Sequence, residues 1–418
     1  MNINPIVLSI PVFFLLIGIE LLAGHLSKRK LYRFSDAISN LNCGIVQQIS
    51  GVFLKLFAIG LYVLVYKYLR IWQIPSSWYS FALLFVLTDF AYYWAHRMSH
   101  EVNLFWSAHV VHHQSEDYNL TVALRQSSFQ VIWTSLFYLP LAVIGFDPFD
   151  FVLAAAFTTL YQFWVHTQWI GRLGPLEYLL VTPSLHRVHH GRDPKYIDKN
   201  HGGVFILWDM LFGTYQKEEE PPTYGITAPL KSWDPIRANF SHPALMWKEL
   251  KKIPQRADKL RYLFYKPGWL PEYMGGYRPA PPVKKESYRK FDKHIPKKLR
   301  AYAFFQFLIL LGLASYFLFN FQGWQPALKA GMAVLLLWTS LSIGLLLDRQ
   351  PRALLIEALR LLPGIPAAGF LWKASGQPVY IFYLAFAYAL LSALWLLWLF
   401  RKEKSASDLQ KEKSEAPQ

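Results

Sequence analysis

Long apolar runs separated by polar connectors, the longest of them over 170–300, set the pattern of this chain. Apolar stretches occupy 6–22, 51–69, 79–95, 129–146, 150–166, 301–320, 328–347 and 378–399, with a weaker one over 353–373. Each approaches the roughly 20 residues that a helix needs to cross a hydrocarbon layer of about 30 Å. The pattern predicts an all-α fold, a multi-span transmembrane helical bundle of about nine spans. Three runs are interrupted. Lys55 falls in the second and Asp89 in the third, and Asp147-Pro148 joins 129–146 to 150–166 as a helical hairpin. The first run lacks a basic flank before it and a small-x-small cleavage site after it, so it is expected to be a retained segment, not a signal peptide.

Charge gives the bundle an orientation. Lys28, Arg29, Lys30 and Arg33 follow the first run, and the positive-inside rule puts them in the cytoplasm. Alternating from there, the third span returns inside where His96 begins, and the hairpin brings His166 back to the same side. Four sections are expected. They are N-terminal spans with the first two histidine boxes (1–170), a cytoplasmic section with the third box and a basic interfacial region (171–300), C-terminal spans (301–402), and a disordered polar tail (403–418). The basic section interleaves KELKKIPQRADKLR (248–261) with Trp247, Tyr262, Phe264, Tyr265 and Trp269, which suits either a solvated loop or a headgroup contact surface.

Composition narrows the class. Apolar residues make up 53% of the chain and charged ones 17%, below the roughly 25% of soluble domains. The formal net charge of +16 therefore points to membrane lipids as partners. No nucleic-acid partner is expected, since no basic stripe carries a recognisable binding module. Cys43 is the single cysteine, which excludes an intrachain disulfide and thiolate-held haem or iron–sulfur groups.

The chemistry concentrates in histidine. HRMSHEVNLFWSAHVVHH (96–113) holds His96, His100, His109, His112 and His113, and LHRVHH (185–190) repeats the H-x-x-H-H spacing with His186, His189 and His190. Residues at i, i+3 and i+4 share a helix face, so each H-x-x-H-H is expected to present three imidazoles to one point. One zinc site takes four ligands and would leave half of these unused, whereas a pair of metals uses them all. His166, at the inner end of the hairpin, is a candidate ninth ligand. Neutral nitrogen ligands in this number leave two divalent ions strongly electrophilic. With iron and O2 such a centre can oxidise an unactivated C–H bond, and its position at a membrane face implies a lipid substrate. The expectation is a membrane di-iron hydroxylase or desaturase. The same-superfamily rivals are sterol or fatty acid hydroxylases and desaturases. A rival of another class is a histidine-rich protein that stores or transports metal. Transport requires ligands along a path across the spans, whereas these boxes sit at span ends on one face.

Other polar residues extend the site. Asp89, two turns before His96 in a membrane span, is expected to hold an imidazole by its second N–H. Glu101 is expected to orient a ligand, relay protons, or pair with Arg97 or Arg125. His201 is either a surface-loop histidine or a further ligand, and His25, His242 and His294 are read as structural.

The boxes, in the order H-x-x-x-H, H-x-x-H-H and H-x-x-H-H, resemble those of the fatty acid hydroxylase / sterol desaturase superfamily. DFAYYWAHRMSHEVN (89–103), HHQSEDYNLTVALRQS (112–127), LYQFWVHT (160–167), HRVHHGRDPKYIDKN (186–200) and GGVFILWDMLFGTY (202–215) are similar to its ether-lipid branch. YGITAPL (224–230) and LSIGLLLDRQPRALLIEALR (341–360) extend the likeness over most of the chain. The resemblance implies a di-iron, O2-dependent monooxygenase that hydroxylates the ether-bearing carbon of an alkylglycerol, giving fatty aldehyde and glycerol. It implies two iron ions held by the eight box histidines with His166, and an acidic role for Glu101. It also implies tetrahydrobiopterin or another reduced donor, a pterin or a redox protein, as electron source. The host membrane is expected to be the inner membrane in a bacterium and the endoplasmic reticulum in a eukaryote. At His201 the chain departs from the aromatic residue expected there.

Overall fold

A computed structural model describes residues 5–362, 383–384 and 386–399. Among these the structure is helical, with two isolated β-bridges, Leu180 to Phe205 and Gly191 to Tyr224, and no strand. The described residues fall into two compact units. One is drawn from 1–231 and 236–291, the other from 232–235 and 292 onward.

The first unit begins with α1 (Pro5–Leu26) and α2 (Phe34–Leu69). At 36 residues α2 is about 54 Å long, nearly twice a hydrocarbon layer. Its two halves differ. Phe53, Leu56, Phe57 and Leu64 near one end are exposed, whereas Ser35, Asp36, Ser39, Asn40 and Asn42 near the other are buried. The apolar run at 51–69 thus continues upstream as a polar helix, because its buried side chains find partners. Asn40 bonds Asp36 at 2.8 Å and Thr121 at 3.2 Å, and Ser115 bonds Asp36 at 2.7 Å.

α3 (Trp78–Glu101) starts at a capping box in which Ser77 and Ser80 satisfy each other's backbone N–H. α4 (Asn103–His113) follows after the single residue Val102. The expected hairpin has a broken first arm. Gln130–Thr134 is α-helical, Ser135–Tyr138 is a 3₁₀ turn, and Leu139–Ile144 is α-helical again. Pro140 lacks the N–H that a continuous helix requires there. The turn uses Gly145 at φ 111°, where a Cβ would sit 1.9 Å from the Trp72 carbonyl oxygen. Asp147 then caps α5 (Pro148–Trp164), accepting from Phe149 N–H at 2.8 Å. α6 (Pro183–His189) completes the site-bearing elements.

The second unit holds α7 (Lys297–Asn320), α8 (Pro326–Leu347) and α9 (Ala353–Leu361). Across the described residues, four helices are long and apolar enough to cross a membrane: Ser9–Leu26, Phe34–Leu69, Lys297–Gly323 and Pro326–Leu347. Gln130–Ile144 and Phe386–Leu399 are shorter apolar helices. Residues 363–382 of the last two expected spans, and the tail at 403–418, lie outside the described residues.

Candidate metal centre

Four elements bring nine imidazoles together. α3 supplies His96 and His100, α4 supplies His109, His112 and His113, and α6 with its C-cap supplies His186, His189 and His190. His166 stands just beyond α5. All are at most 7% exposed. They form two groups, within each of which the ligand atoms lie within 4.8 Å of one another. The first comprises His96, His100, His109, His113 and His189, and the second His112, His166, His186 and His190.

This partition corrects the expectation that each H-x-x-H-H converges on one point. On an α-helix, i and i+4 diverge by only about 40°, while i+3 lies about 100° from i+4. The i, i+4 pair of each box therefore shares a group and the middle histidine goes to the other. His109 and His113 join the first group and His112 the second, whereas His186 and His190 join the second and His189 the first. The two boxes interleave so that each straddles both groups.

Spacing and lone pairs fit metal ions. His96 Nε2 lies 3.0 Å from His109 Nε2, which lies 3.1 Å from His113 Nε2. In the second group His166 Nε2 is 3.2 Å from His112 Nε2 and 3.1 Å from His186 Nε2. Metal–nitrogen bonds of about 2.1 Å give octahedral edges of about 3.0 Å and tetrahedral edges of about 3.4 Å, which bracket these separations. Five of the outer nitrogens are occupied. Nδ1 of His96 meets the His201 carbonyl at 2.8 Å, that of His112 the Arg125 carbonyl at 3.0 Å, that of His166 the Gln162 carbonyl at 2.7 Å, and that of His189 the Lys199 carbonyl at 2.9 Å. His109 Nδ1 meets Gln130 Oε1 at 3.1 Å. A carbonyl only accepts, so each Nδ1 facing one carries the proton and the Nε2 lone pair points inward. Burial, reinforced by neighbouring imidazoles, holds His112, His113, His186, His189 and His190 well below the ordinary histidine range, and His109 down to about 3. The side chains are neutral near pH 7, as metal ligation requires.

Asp89 is not the imidazole partner expected of it. Its oxygens accept from Val204 N–H at 2.7 Å, Phe205 N–H at 3.0 Å and Trp208 Nε1–H at 3.0 Å. It approaches so closely that a Cβ on Gly203 would stand 2.6 Å from its Oδ1. Asp209 pins the neighbouring backbone, accepting from the N–H groups of His201 and Gly202, both at 2.7 Å. The two carboxylates hold the loop whose His201 carbonyl orients His96. Glu101 pairs with Arg97 at 3.1 Å and Lys266 at 3.8 Å, and lines a cleft of about 490 Å³ with Met98, Phe264, Tyr265, Trp269 and Tyr277. Arg125, the other partner considered for Glu101, is buried and donates to Val111 O, Asn40 Oδ1 and Gln114 Oε1.

Three supports escaped the sequence reading. Gln130 orients His109, Arg125 organises the backbone that orients His112, and Asn200 ties Leu185 O at 2.9 Å to the 214–216 segment. A buried charge amid apolar residues, as at Arg125, was a readable signal, whereas nothing local marks Gln130. His25, His242 and His294 stand outside both groups.

Comparison with known proteins places this geometry. Residues 81–214 match the fatty acid hydroxylase family. Alkylglycerol monooxygenases of Xenopus tropicalis and Homo sapiens are each 36% identical to the chain, covering 84% of it and 79% and 80% of their own lengths. The ornithine lipid hydroxylase OlsE of Rhizobium tropici is 29% identical over 36% of the chain and 47% of its own length. No solved structure matches.

Proposed function

We infer the reaction from one premise: this chain belongs to the alkylglycerol monooxygenase family. It is an O2-dependent monooxygenase with fatty acid hydroxylase relatives, acting on lipid in a membrane context. We propose that it takes 1-O-alkylglycerols and hydroxylates the ether-bearing carbon of the alkyl chain. One atom of O2 enters the C–H bond and the other leaves as water, with two electrons and two protons from a reduced donor. The resulting hemiacetal breaks its C–O bond to give fatty aldehyde and glycerol. Tetrahydrobiopterin is the donor we assign, on family likeness.

The observation that carries this reading is the division of nine buried imidazoles into a five and a four, the ligand atoms of each group lying within 4.8 Å of one another. In our reading His96, His100, His109, His113 and His189 hold one iron and His112, His166, His186 and His190 the other. When bound, the iron pair supplies the oxidising power for C–H hydroxylation. The chain supplies everything else. Backbone carbonyls of residues 125, 162, 199 and 201 hold the Nδ1 protons and fix ring orientation. Val110, Val111, Leu185 and Val188, buried beside the boxes, exclude bulk water. The exposed apolar halves of α1 and α2 suit lipid contact. We further propose a multi-pass topology of about nine spans, with the Lys28–Arg33 flank and the histidines facing the cytoplasm. The membrane is the inner one in a bacterial host or the endoplasmic reticulum in a eukaryotic one.

The test uses detergent-purified protein loaded with Fe(II) and given a 1-O-alkylglycerol, O2 and a reduced pterin. Fatty aldehyde from the parent and none from His112→Ala is the expected result. Absence of aldehyde with two irons bound per chain would overturn the ether-lipid substrate and redirect the search to sterols and fatty acids. A chain that binds no iron would overturn the reading altogether.

A further inference from the structure

His201 lies outside the helices, between Asn200 at φ 55° and Gly202. It is fully buried, at 0% exposure, which removes the surface-loop alternative. Its backbone is committed on both sides, with N–H to Asp209 and carbonyl to His96. Its ring is not so committed: neither Nδ1 nor Nε2 makes a hydrogen bond of good geometry, although the Asp198 backbone comes near enough to interact with the imidazole. Leaving a buried polar group unpaired costs about 1–3 kcal/mol, so a ring with a nitrogen to spare calls for an occupant. Among the described residues, the other buried imidazole nitrogens without a partner are His100 Nε2, His186 Nδ1, His189 Nε2 and His190 Nε2, and every one of those rings belongs to the two metal groups.

Position agrees with chemistry. The His201 ring centroid is 5.1 Å from that of His100 and 5.6 Å from those of His96 and His189. Rings inside the five-histidine group are themselves separated by 4.4 Å (His96 to His189) up to 6.5 Å (His109 to His189). All three of these histidines belong to that group, and the Tyr93 ring lies farther off, at 6.3 Å. His201 is not among the five whose ligand atoms already lie within 4.8 Å of one another.

We propose that His201 is a sixth imidazole for the five-histidine position, engaged when an ion fills it. The proposal rests on the two-metal reading above and sharpens it. One ion would have six nitrogen donors and the other four, so exchangeable ligands would be confined to the four-histidine position. The two ions of the pair would then differ in role.

The experiment is a Zn2+ titration of the metal-free full chain in detergent, in competition with a chelator of known affinity. The parent is expected to bind in two steps, and His186→Ala identifies the step belonging to the four-histidine position. His201→Phe and His201→Gln should each weaken the other step on the order of ten- to a hundredfold, leaving the His186-sensitive step unchanged. Parental affinity at both steps in His201→Gln would overturn the proposal. Loss of both steps in both variants would also overturn it, since a ligand to one ion leaves the other position intact. A parent that binds no zinc would instead strike the two-metal reading itself.

Discussion

Two buried polar clusters sit in the two units of this protein, and they are built on opposite principles. The cluster of α7–α9 is closed. Glu357 accepts from Tyr302 at 2.5 Å, from Ser342 at 2.6 Å and from Arg360 at 2.6 and 2.8 Å. Arg360 also donates to Gln306 at 2.8 Å and to Tyr388 at 3.0 Å. Glu357 and Arg360 thus neutralise each other with every strong donor in use, and the cluster needs nothing from outside. The histidine cluster is open. Carbonyls satisfy the outer nitrogens of His96, His109, His112, His166 and His189, while inner ones crowd at 3.0–3.2 Å or stand unpartnered. Polar groups buried to hold helices together complete one another, and those buried to hold a ligand are completed by it. The contrast separates scaffold from site without appeal to motif.

The largest test of that contrast removes one ligand. His189→Ala should lower metal content from two ions per chain to one and cut turnover by on the order of a thousandfold, about 4 kcal/mol. Metal analysis beside an aldehyde assay measures both. Retained turnover with one ion would break the comparison, because the open cluster would then not need filling. Next is Glu357→Ala, which strands the buried Arg360 charge and should destabilise the protein by about 3–5 kcal/mol. Metal content per folded chain should not change. A fall in thermal midpoint with two ions retained sharpens the comparison, whereas metal loss in the folded variant would mean that the α7–α9 cluster serves the site.

Much of the open cluster was legible in the sequence because its histidines sit on helices, where spacing fixes direction. His96 with His100, and the two H-x-x-H-H boxes, announce themselves at i, i+3 and i+4. What spacing alone concealed was the split of each box, which depends on where the facing helices stand. The roles of His201, Asp209 and Asn200 were hidden because they belong to a loop, where no period relates position to direction. The polar half of α2 read as connector for a related reason. Asp36, Ser39 and Asn40 are buried on a helix where Ser115, Thr121 and Arg125, far along the chain, complete them. The closed cluster was scarcely visible, since Glu357 and Arg360 in an apolar run signal cost without naming partners.

Asp89 tests the support under the site. In Asp89→Asn only one terminal atom still accepts. Whichever way the amide turns, its NH2 faces the Val204 N–H or the Phe205 and Trp208 N–H pair. The expected loss is about 1–3 kcal/mol of stability, read as a lowered unfolding midpoint. Through the His201 carbonyl, affinity at the five-histidine position should weaken by about tenfold. Unchanged zinc binding would show that Asp209 alone suffices to hold the loop.

Glu101 carries the smallest expected effect, although it directly follows a box histidine. Its partners decide this. Arg97 is 21% exposed, Glu101 19% and Lys266 52%, so solvent screens both ion pairs and each is worth no more than about 1 kcal/mol. No imidazole depends on it, since His100 Nδ1 faces Asp198 at 3.7 Å. Glu101→Gln should therefore keep both ions and change kcat by less than about fivefold. A drop of several hundredfold with metal retained would place a proton-handling carboxylate at the mouth of the 490 Å³ cleft. The boundary of the open cluster would then extend beyond its histidines, to a residue whose interactions in the protein look closed.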